Sequence, residues 1–236
     1  MKNFDYDTIS LGYYDQIFKK NKGIQSAWHH IKFDYVEKKI NDTENHLDIG
    51  CGAGTFLGNY LKNRNRVGVD IASKQIEYAI KNNKDEKNNF FHIEKKLPFK
   101  DKEFDTISLI EIIEHLDFND TKNLINEAKR CLKDKGHIFI TTPNYLSLWP
   151  LLELIVNKIS KLSYEDQHIS KYNYFSLKKL LLNFEMKIVE LNTFITISPF
   201  IAFFSFKLSK FLSKIYFPKF KLGFLIFAKI KKDLSN

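Results

Sequence analysis

Between His46 and Asn144 the chain alternates short β-branched or aromatic runs with amphipathic stretches, and the connections between them are short. HLDIG (46–50), RVGVDIA (66–72), NFFHIE (89–94), FDTISLIE (104–111) and HIFITTPN (137–144) read as strands, the last stopped by Pro143. TFLGNYLKN (55–63), SKQIEYAIKNN (73–83) and DTKNLINEAKRCLKDKG (120–136) have helical spacing, with Ser73 expected as an N-cap and Gly136 as a terminator. Strands separated by helices need crossover connections, so the sheet is parallel and covered on both faces. Two later runs, KIVELNTF (187–194) and GFLIFAKIKK (223–232), suit an antiparallel hairpin at one edge. The expected fold is α/β: a doubly wound seven-stranded sheet, mostly parallel, with an antiparallel edge hairpin.

A length of 236 residues suits one domain spanning 1–236 and is too short for two full ones. Helices are expected over 1–43, a less regular insertion over 145–186, and an amphipathic helix over 198–220. With 44% hydrophobic residues and 22 Phe, 11 Tyr and 2 Trp, disorder over most of the chain is excluded. Cys51 and Cys131 are the only cysteines, which argues against a disulfide-stapled scaffold, and no Cys/His cluster has zinc-ligand spacing. MKNFDYDTIS lacks a basic stretch followed by an apolar one, so the chain reads as cytoplasmic.

LDIGCGAGTF places Gly50, Gly52 and Gly54 at the first strand-to-helix turn, where bare backbone lets a ligand approach. A dinucleotide fingerprint needs glycine at position 55, which is Thr55, and no Gly-Lys-Ser/Thr of a P-loop follows. A GxGxG run with Asp48 two residues ahead of it and Asp70 closing the next strand resembles the S-adenosylmethionine (SAM) site of class I methyltransferases of the type 11 and type 23 kind. KKLPFKDKEFDTISLIEIIEHL (95–116) and RCLKDKGHIFITTPN (130–144) extend the resemblance over about residues 45–144, and more loosely over 165–232.

The resemblance implies a Rossmann-like sheet and SAM as cofactor. It assigns cofactor contacts to Tyr14, Asp48, Gly50, Cys51, Gly52, Gly54, Asp70, Ile71, Ile93, Glu94, Ile110 and Glu111. Asp70 can accept charge-assisted hydrogen bonds from the ribose hydroxyls, and Asp48 can hold the loop and the ammonium end. Tyr13 and Tyr14 either close over SAM or pack a helix. The sequence departs from the family at Ile93, where an Asp usually binds the adenine amino group; Glu94 or a backbone carbonyl then makes that contact.

EIIEHL brings Glu111, Glu114 and His115 to the end of the fourth strand, with Glu111 facing the methionine end and His115 the acceptor as general base. His168 is a second catalytic candidate. ExxEH also resembles the metal-binding segment of ubiquinone-biosynthesis O-methyltransferases and of small-RNA 2′-O-methyltransferases. A divalent cation on Glu111, Glu114, His115 and His168 is therefore a secondary reading, beside the plainer one in which EHL ends a strand.

Net charge is +9, and the segment from Leu191 to Lys232 contributes eight lysines and no acid. Ten phenylalanines are interleaved with them. At 100° per residue, Phe200, Ile201, Phe204, Leu208, Phe211, Leu212 and Ile215 fall within an arc of about 120°. Such a helix can lie on a membrane surface, here at the inner face of a membrane, or can pack on the core or on a second copy in a homodimer. Nucleic acid ranks behind these because the charge is local and mixed with apolar surface. The favoured activity is O-methylation of a small or amphipathic acceptor, such as a quinone precursor or a lipid-linked or sugar-like molecule. Its rivals are an RNA 2′-O-methyltransferase with a divalent metal and a non-catalytic SAM-binding, membrane-associated subunit.

Overall fold

A computed structural model describes residues 6–40, 44–94, 96–159, 167–184, 186–215 and 221–233. Strands β1 (Asn45–Ile49), β2 (Asn65–Asp70), β3 (Asn88–His92), β4 (Phe104–Ile110), β5 (Leu132–Pro143), β6 (Met186–Phe194) and β7 (Leu225–Lys232) form one sheet in the order β3-β2-β1-β4-β5-β7-β6. Pairings β1–β2, β2–β3 and β4–β5 are parallel. β7 pairs antiparallel with both β5 and β6, which is the expected edge hairpin. The chain divides into two compact units, one of Asp7–Lys95 with Ile195–Phe217, the other of Met1–Tyr6, Lys96–Phe194 and Pro218–Asn236.

The first unit contains α1 (Tyr13–Lys19), α2 (Gly23–Lys39), α3 (Thr55–Asn59) and α4 (Ser73–Asn82). Parallel strands are shielded on both faces, and Leu47 of β1 and Val69 of β2 are fully buried accordingly, as is Leu57 on the covering helix α3. The expected cap of α4 is corrected. Ala72 occupies the N-cap position and Ser73 is the first helical residue. The cap is borrowed from Asp7, whose carboxylate accepts Lys74 N–H at 3.1 Å and the Ser73 hydroxyl at 3.1 Å. The helix after the glycine loop ends at Asn59, short of the expected 63. There the buried Arg66 guanidinium takes over, donating to the carbonyls of Leu57 and Tyr60 and in a fork to Asp85 at 2.7 and 2.8 Å.

In the second unit α5 spans Phe118–Cys131, α6 Trp149–Ile159 and α7 Tyr174–Leu182. Asp117 caps α5 by accepting Asp120 N–H at 2.8 Å, so the helix begins earlier than expected. It also ends earlier. Residues 132–136 belong to β5, and Gly136 serves the sheet, since a Cβ there would come 2.7 Å from the Asp105 carbonyl oxygen. Asn173 caps α7 in a reciprocal capping box with Ser176. Positions 160–166 and 185 of the expected 145–186 insertion, and 1–5 and 41–43 of the N-terminal helices, lie outside the described residues.

The continuous helix expected over 198–220 is not formed. The chain makes α8 (Ser198–Ile201) and α9 (Phe206–Leu212), with Ser205 capping the second by accepting Leu208 N–H. Positions 216–220 lie outside the described residues. Among the described residues no helix is long and apolar enough to cross a membrane.

His46, fully buried in β1, generates a pH dependence of stability. Burial, reinforced by Arg64 and Arg66, lowers its pKa to about 3. An unfolded chain binds that proton near pH 6.5, so between these values the unfolded state is the more protonated and stability falls as pH drops. Denaturant unfolding of His46→Gln should show a pH slope shallower than wild type by about 1.4 kcal/mol per unit below pH 6.

Candidate functional site

The glycine loop is built against β2. Gly50 N–H and Cys51 N–H both donate to the Val69 carbonyl, at 2.8 and 3.1 Å. Gly52 adopts φ +51° and Gly54 φ +73°, a region that side-chain-bearing residues rarely enter. Their surroundings differ. A Cβ on Gly54 would come 2.6 Å from the Phe90 ring, whereas one on Gly52 would meet nothing within 4 Å. Gly54 is thus required by packing, and the peptide at Gly52 is left uncovered.

Asp70 joins the loop to the end of its strand. Its Oδ2 accepts Gly52 N–H at 2.7 Å and its Oδ1 accepts Ala72 N–H at 2.8 Å. Burial raises its pKa, and the backbone N–H groups of Ala72, Gly52 and Ile71 oppose the rise. An ionised carboxylate has about four acceptor positions, so capacity remains for a diol. Ile71 beside it is 55% exposed, and Ile93, half-buried, donates its N–H to the Asp70 carbonyl at 3.0 Å. Uncovered peptide, acceptor and apolar surface together fit the nucleoside end of SAM.

Asp48 is buried in β1, and Glu94 is exposed just beyond β3. The Cys51 thiol lies against Gly68 and is pushed well up in pKa by burial, with Asp70 and Asp48 adding to the shift. Tyr14 sits in α1 with its ring edge-on to Tyr13 and His29, centroids 5.2 and 5.6 Å apart.

In the second unit Ile110 ends β4, and Glu111 after it takes φ +56°, its N–H donating to the Thr141 carbonyl at 3.0 Å. A non-glycine residue held there stores about 1–3 kcal/mol of strain. The 3₁₀ turn Ile113–His115 then presents Glu114 and His115. Glu114 is buried and accepts from the Thr142 hydroxyl at 3.0 Å. His115 Nδ1 faces the Gln167 carbonyl at 2.9 Å; a carbonyl only accepts, so Nδ1 carries the proton and Nε2 the lone pair. Burial lowers the His115 pKa to about 4, keeping the ring neutral.

His168 is brought to His115 by the segment around it. Gln167 makes the bond just described, Ser170 N–H donates to the Glu114 carbonyl at 2.9 Å and the Ser170 hydroxyl to the Leu116 carbonyl at 2.6 Å. The two imidazole centroids are 5.2 Å apart. His168 Nδ1 lies 2.9 Å from Glu153 Oε1, and the Tyr145 hydroxyl donates to Glu153 Oε2 at 2.8 Å. Burial opposes the charge on Glu153, but the bonds from His168 and Tyr145 outweigh it and hold the carboxyl below its usual range. Nδ1 of His168 therefore also carries a proton, directed at Glu153.

Glu114, His115 and His168 offer ligand atoms within 4.8 Å of one another, the group of metal-holding geometry among the described residues; Glu111 is not part of it. Two imidazoles whose second nitrogens are held by a carbonyl and a carboxylate are what a metal site requires of its outer layer. Tyr145 and Glu153 escaped the sequence reading. The available signal was a single acid in the Leu/Trp-rich stretch 146–156.

A family profile described as a methyltransferase domain matches residues 24–191. An uncharacterised protein of Methanocaldococcus jannaschii is 30% identical over 189 residues, covering 79% of this chain and 78% of its own length. A ubiquinone biosynthesis O-methyltransferase of Pelagibacter ubique is 35% identical over 152 residues, covering 57% of this chain and 62% of that protein. The fold is shared with a SAM-dependent methyltransferase structure from Thermotoga maritima at TM-score 0.71, 15% identity and coverage of 97% and 98%.

Thermal unfolding with SAM or S-adenosylhomocysteine at about 100 times its dissociation constant should stabilise the wild-type protein by about 2.7 kcal/mol. Asp70→Ala should abolish the shift while remaining folded by circular dichroism. A full shift in that variant would remove Asp70 from the site.

Proposed function

The chain belongs to the methyltransferase-domain family and is a SAM-dependent methyltransferase, and from that premise we propose that it methylates a hydroxyl oxygen of a small or amphipathic acceptor, with His168 as the general base. The observation that carries this reading is the buried pair His168–Glu153, 2.9 Å apart, with Tyr145 fixing the carboxylate from its other oxygen.

SAM supplies, when bound, an electrophilic methyl group on a sulfonium. The chain has to align an oxygen with it and take the proton that the oxygen loses. Alignment alone accounts for about 7–11 kcal/mol of barrier in favourable cases. His168 Nε2 accepts the hydroxyl proton as the oxygen–methyl bond forms, and the positive charge that develops on the ring is stabilised by Glu153 across Nδ1–H. Glu153 is a positioning residue in this scheme, fixing tautomer and ring plane. His115 has a weaker claim as base: its pKa of about 4 makes it a reluctant proton acceptor. Its neutral ring instead offers Nε2 as a hydrogen-bond acceptor that orients the hydroxyl.

The small-molecule acceptor rests on the likeness to the ubiquinone biosynthesis O-methyltransferase of Pelagibacter ubique. A second reading has its own observation, the ligand cluster of Glu114, His115 and His168. Those three residues would hold a divalent cation, which would polarise the acceptor oxygen and lower its pKa.

Assayed with a panel of catechols and polyprenylated phenols, His168→Ala should lower kcat by about 10²–10⁴-fold with unchanged SAM affinity. Glu153→Gln should lower kcat less and His115→Ala mainly raise KM. Activity that survives chelator treatment supports the general-base reading. Activity lost to the chelator and restored by added Mg²⁺, Mn²⁺ or Zn²⁺ transfers the same residues to the cation reading.

A further inference from the structure

The α8–α9 segment is folded with its small residues inward. Ser198, Ala202 and Ser209 are buried, with the Ser209 hydroxyl donating to the Ser198 carbonyl at 2.7 Å, and both helices pack on α2. Phe206 turns in as well, its ring edge-on to His30 at 5.3 Å. The large apolar residues go the other way. Phe203 is 75% exposed, Phe204 86% and Phe211 63%, with Leu208 and Ile215 also exposed. Neighbouring phenylalanines at that level of exposure are unusual on a water-facing surface.

Cations surround this apolar surface. Lys207 and Lys214 are exposed on α9 and just beyond it, and Lys20 and Lys22 line the groove that Phe203 and Phe204 border. Lys210 is paired with Asp34 at 3.1 Å, so the outward charge comes from the other four. No acid occurs between Leu191 and Lys232. Aromatic rings to insert, lysines whose stems lie along apolar surface while their ammonium heads stay in water, and a backbone satisfied by its own short helices are the parts of an interfacial anchor.

We propose that this surface, centred on Phe203, Phe204 and Phe211, docks the protein on an anionic lipid bilayer. The charge complementarity chooses the occupant. A second copy would bring the same lysines against each other across a two-fold interface, and a nucleic acid would use the lysines while leaving the phenylalanines in water. Anionic headgroups over an acyl layer satisfy both components at once. Docking of this kind would suit an acceptor dissolved in the bilayer, but it stands apart from the chemistry proposed above.

Co-sedimentation with vesicles tests it on the full chain. Binding is expected to phosphatidylcholine containing about 30% phosphatidylglycerol, and about tenfold or more weaker binding to phosphatidylcholine alone. Phe203→Ser/Phe204→Ser and, separately, Lys207→Glu/Lys214→Glu should each reduce partitioning by about tenfold or more. SAM-induced thermal shifts in both variants should match wild type, which separates loss of docking from loss of fold or of cofactor binding. Vesicle binding unaffected by either variant would overturn the proposal. It would equally be overturned by no vesicle binding accompanied by concentration-dependent dimerisation in light scattering, or by salt-sensitive tRNA binding that the Lys variant alone removes.

Discussion

The carboxylate of Asp70 fixes three things at once. By accepting Gly52 N–H and Ala72 N–H it holds the crest of the glycine loop, the end of β2 and the entry to α4 in a single arrangement. The Val69 carbonyl secures the loop one residue earlier through Gly50 and Cys51. These backbone donors use only part of the acceptor capacity of an ionised carboxylate, so the group that organises the backbone keeps acceptor positions beyond those the loop occupies. Arg66 performs the corresponding service at the far end of α3, where the buried guanidinium takes up carbonyls that a five-residue helix leaves over.

Most of this architecture was legible in the sequence because strand and helix periods differ. Runs such as RVGVDIA and FDTISLIE are rich in β-branched and apolar residues at no helical period, as strands covered on both faces are, and the glycine spacing separated one nucleotide-binding loop from another at Thr55. The errors have local causes. Ser73 looked like a cap because caps are usually read from adjacent sequence, whereas the carboxylate that does the work belongs to Asp7, 67 residues before Lys74. LKDKG was assigned to the helix on propensity, and pairing between Phe104 and Leu132 overrode it.

The candidate site was legible in part. Asp70, Gly52 and the EIIEHL residues sit where local pattern put them, because each follows directly from the end of a strand. His168 was a candidate on chemistry alone, and its neighbourhood with His115 depends on tertiary bonds from Gln167 and Ser170 that no spacing encodes. Glu153 and Tyr145 were missed for the same reason, since a carboxylate, a phenol and an imidazole 8 and 23 residues from Tyr145 converge only after folding. The Phe/Lys segment taught the reverse lesson. The helical projection identified an apolar arc, and ordinary practice would bury it. The structure instead buries Ser198, Ala202 and Ser209, small side chains that let α8 and α9 approach α2, with the Ser209 hydroxyl satisfied by the Ser198 carbonyl.

Cys131 ends α5 and Leu132 begins β5 with no residue between them, and the chain then runs without a break to Pro143. Near its far end the Thr141 carbonyl holds the strained Glu111 peptide and the Thr142 hydroxyl holds Glu114. Adjacent strand residues face opposite sides, so gaining or losing one residue between His137 and Thr141, where β5 pairs in register with β4, would exchange those duties and leave each group with the wrong partner. β5 therefore acts as a ruler. The regular ladder from Thr106–His137 to Ile110–Thr141 sets which strand residue reaches Glu111 and which reaches Glu114, and the irregular register ahead of it, between Phe104 and Thr106, is where a change of length is absorbed more readily.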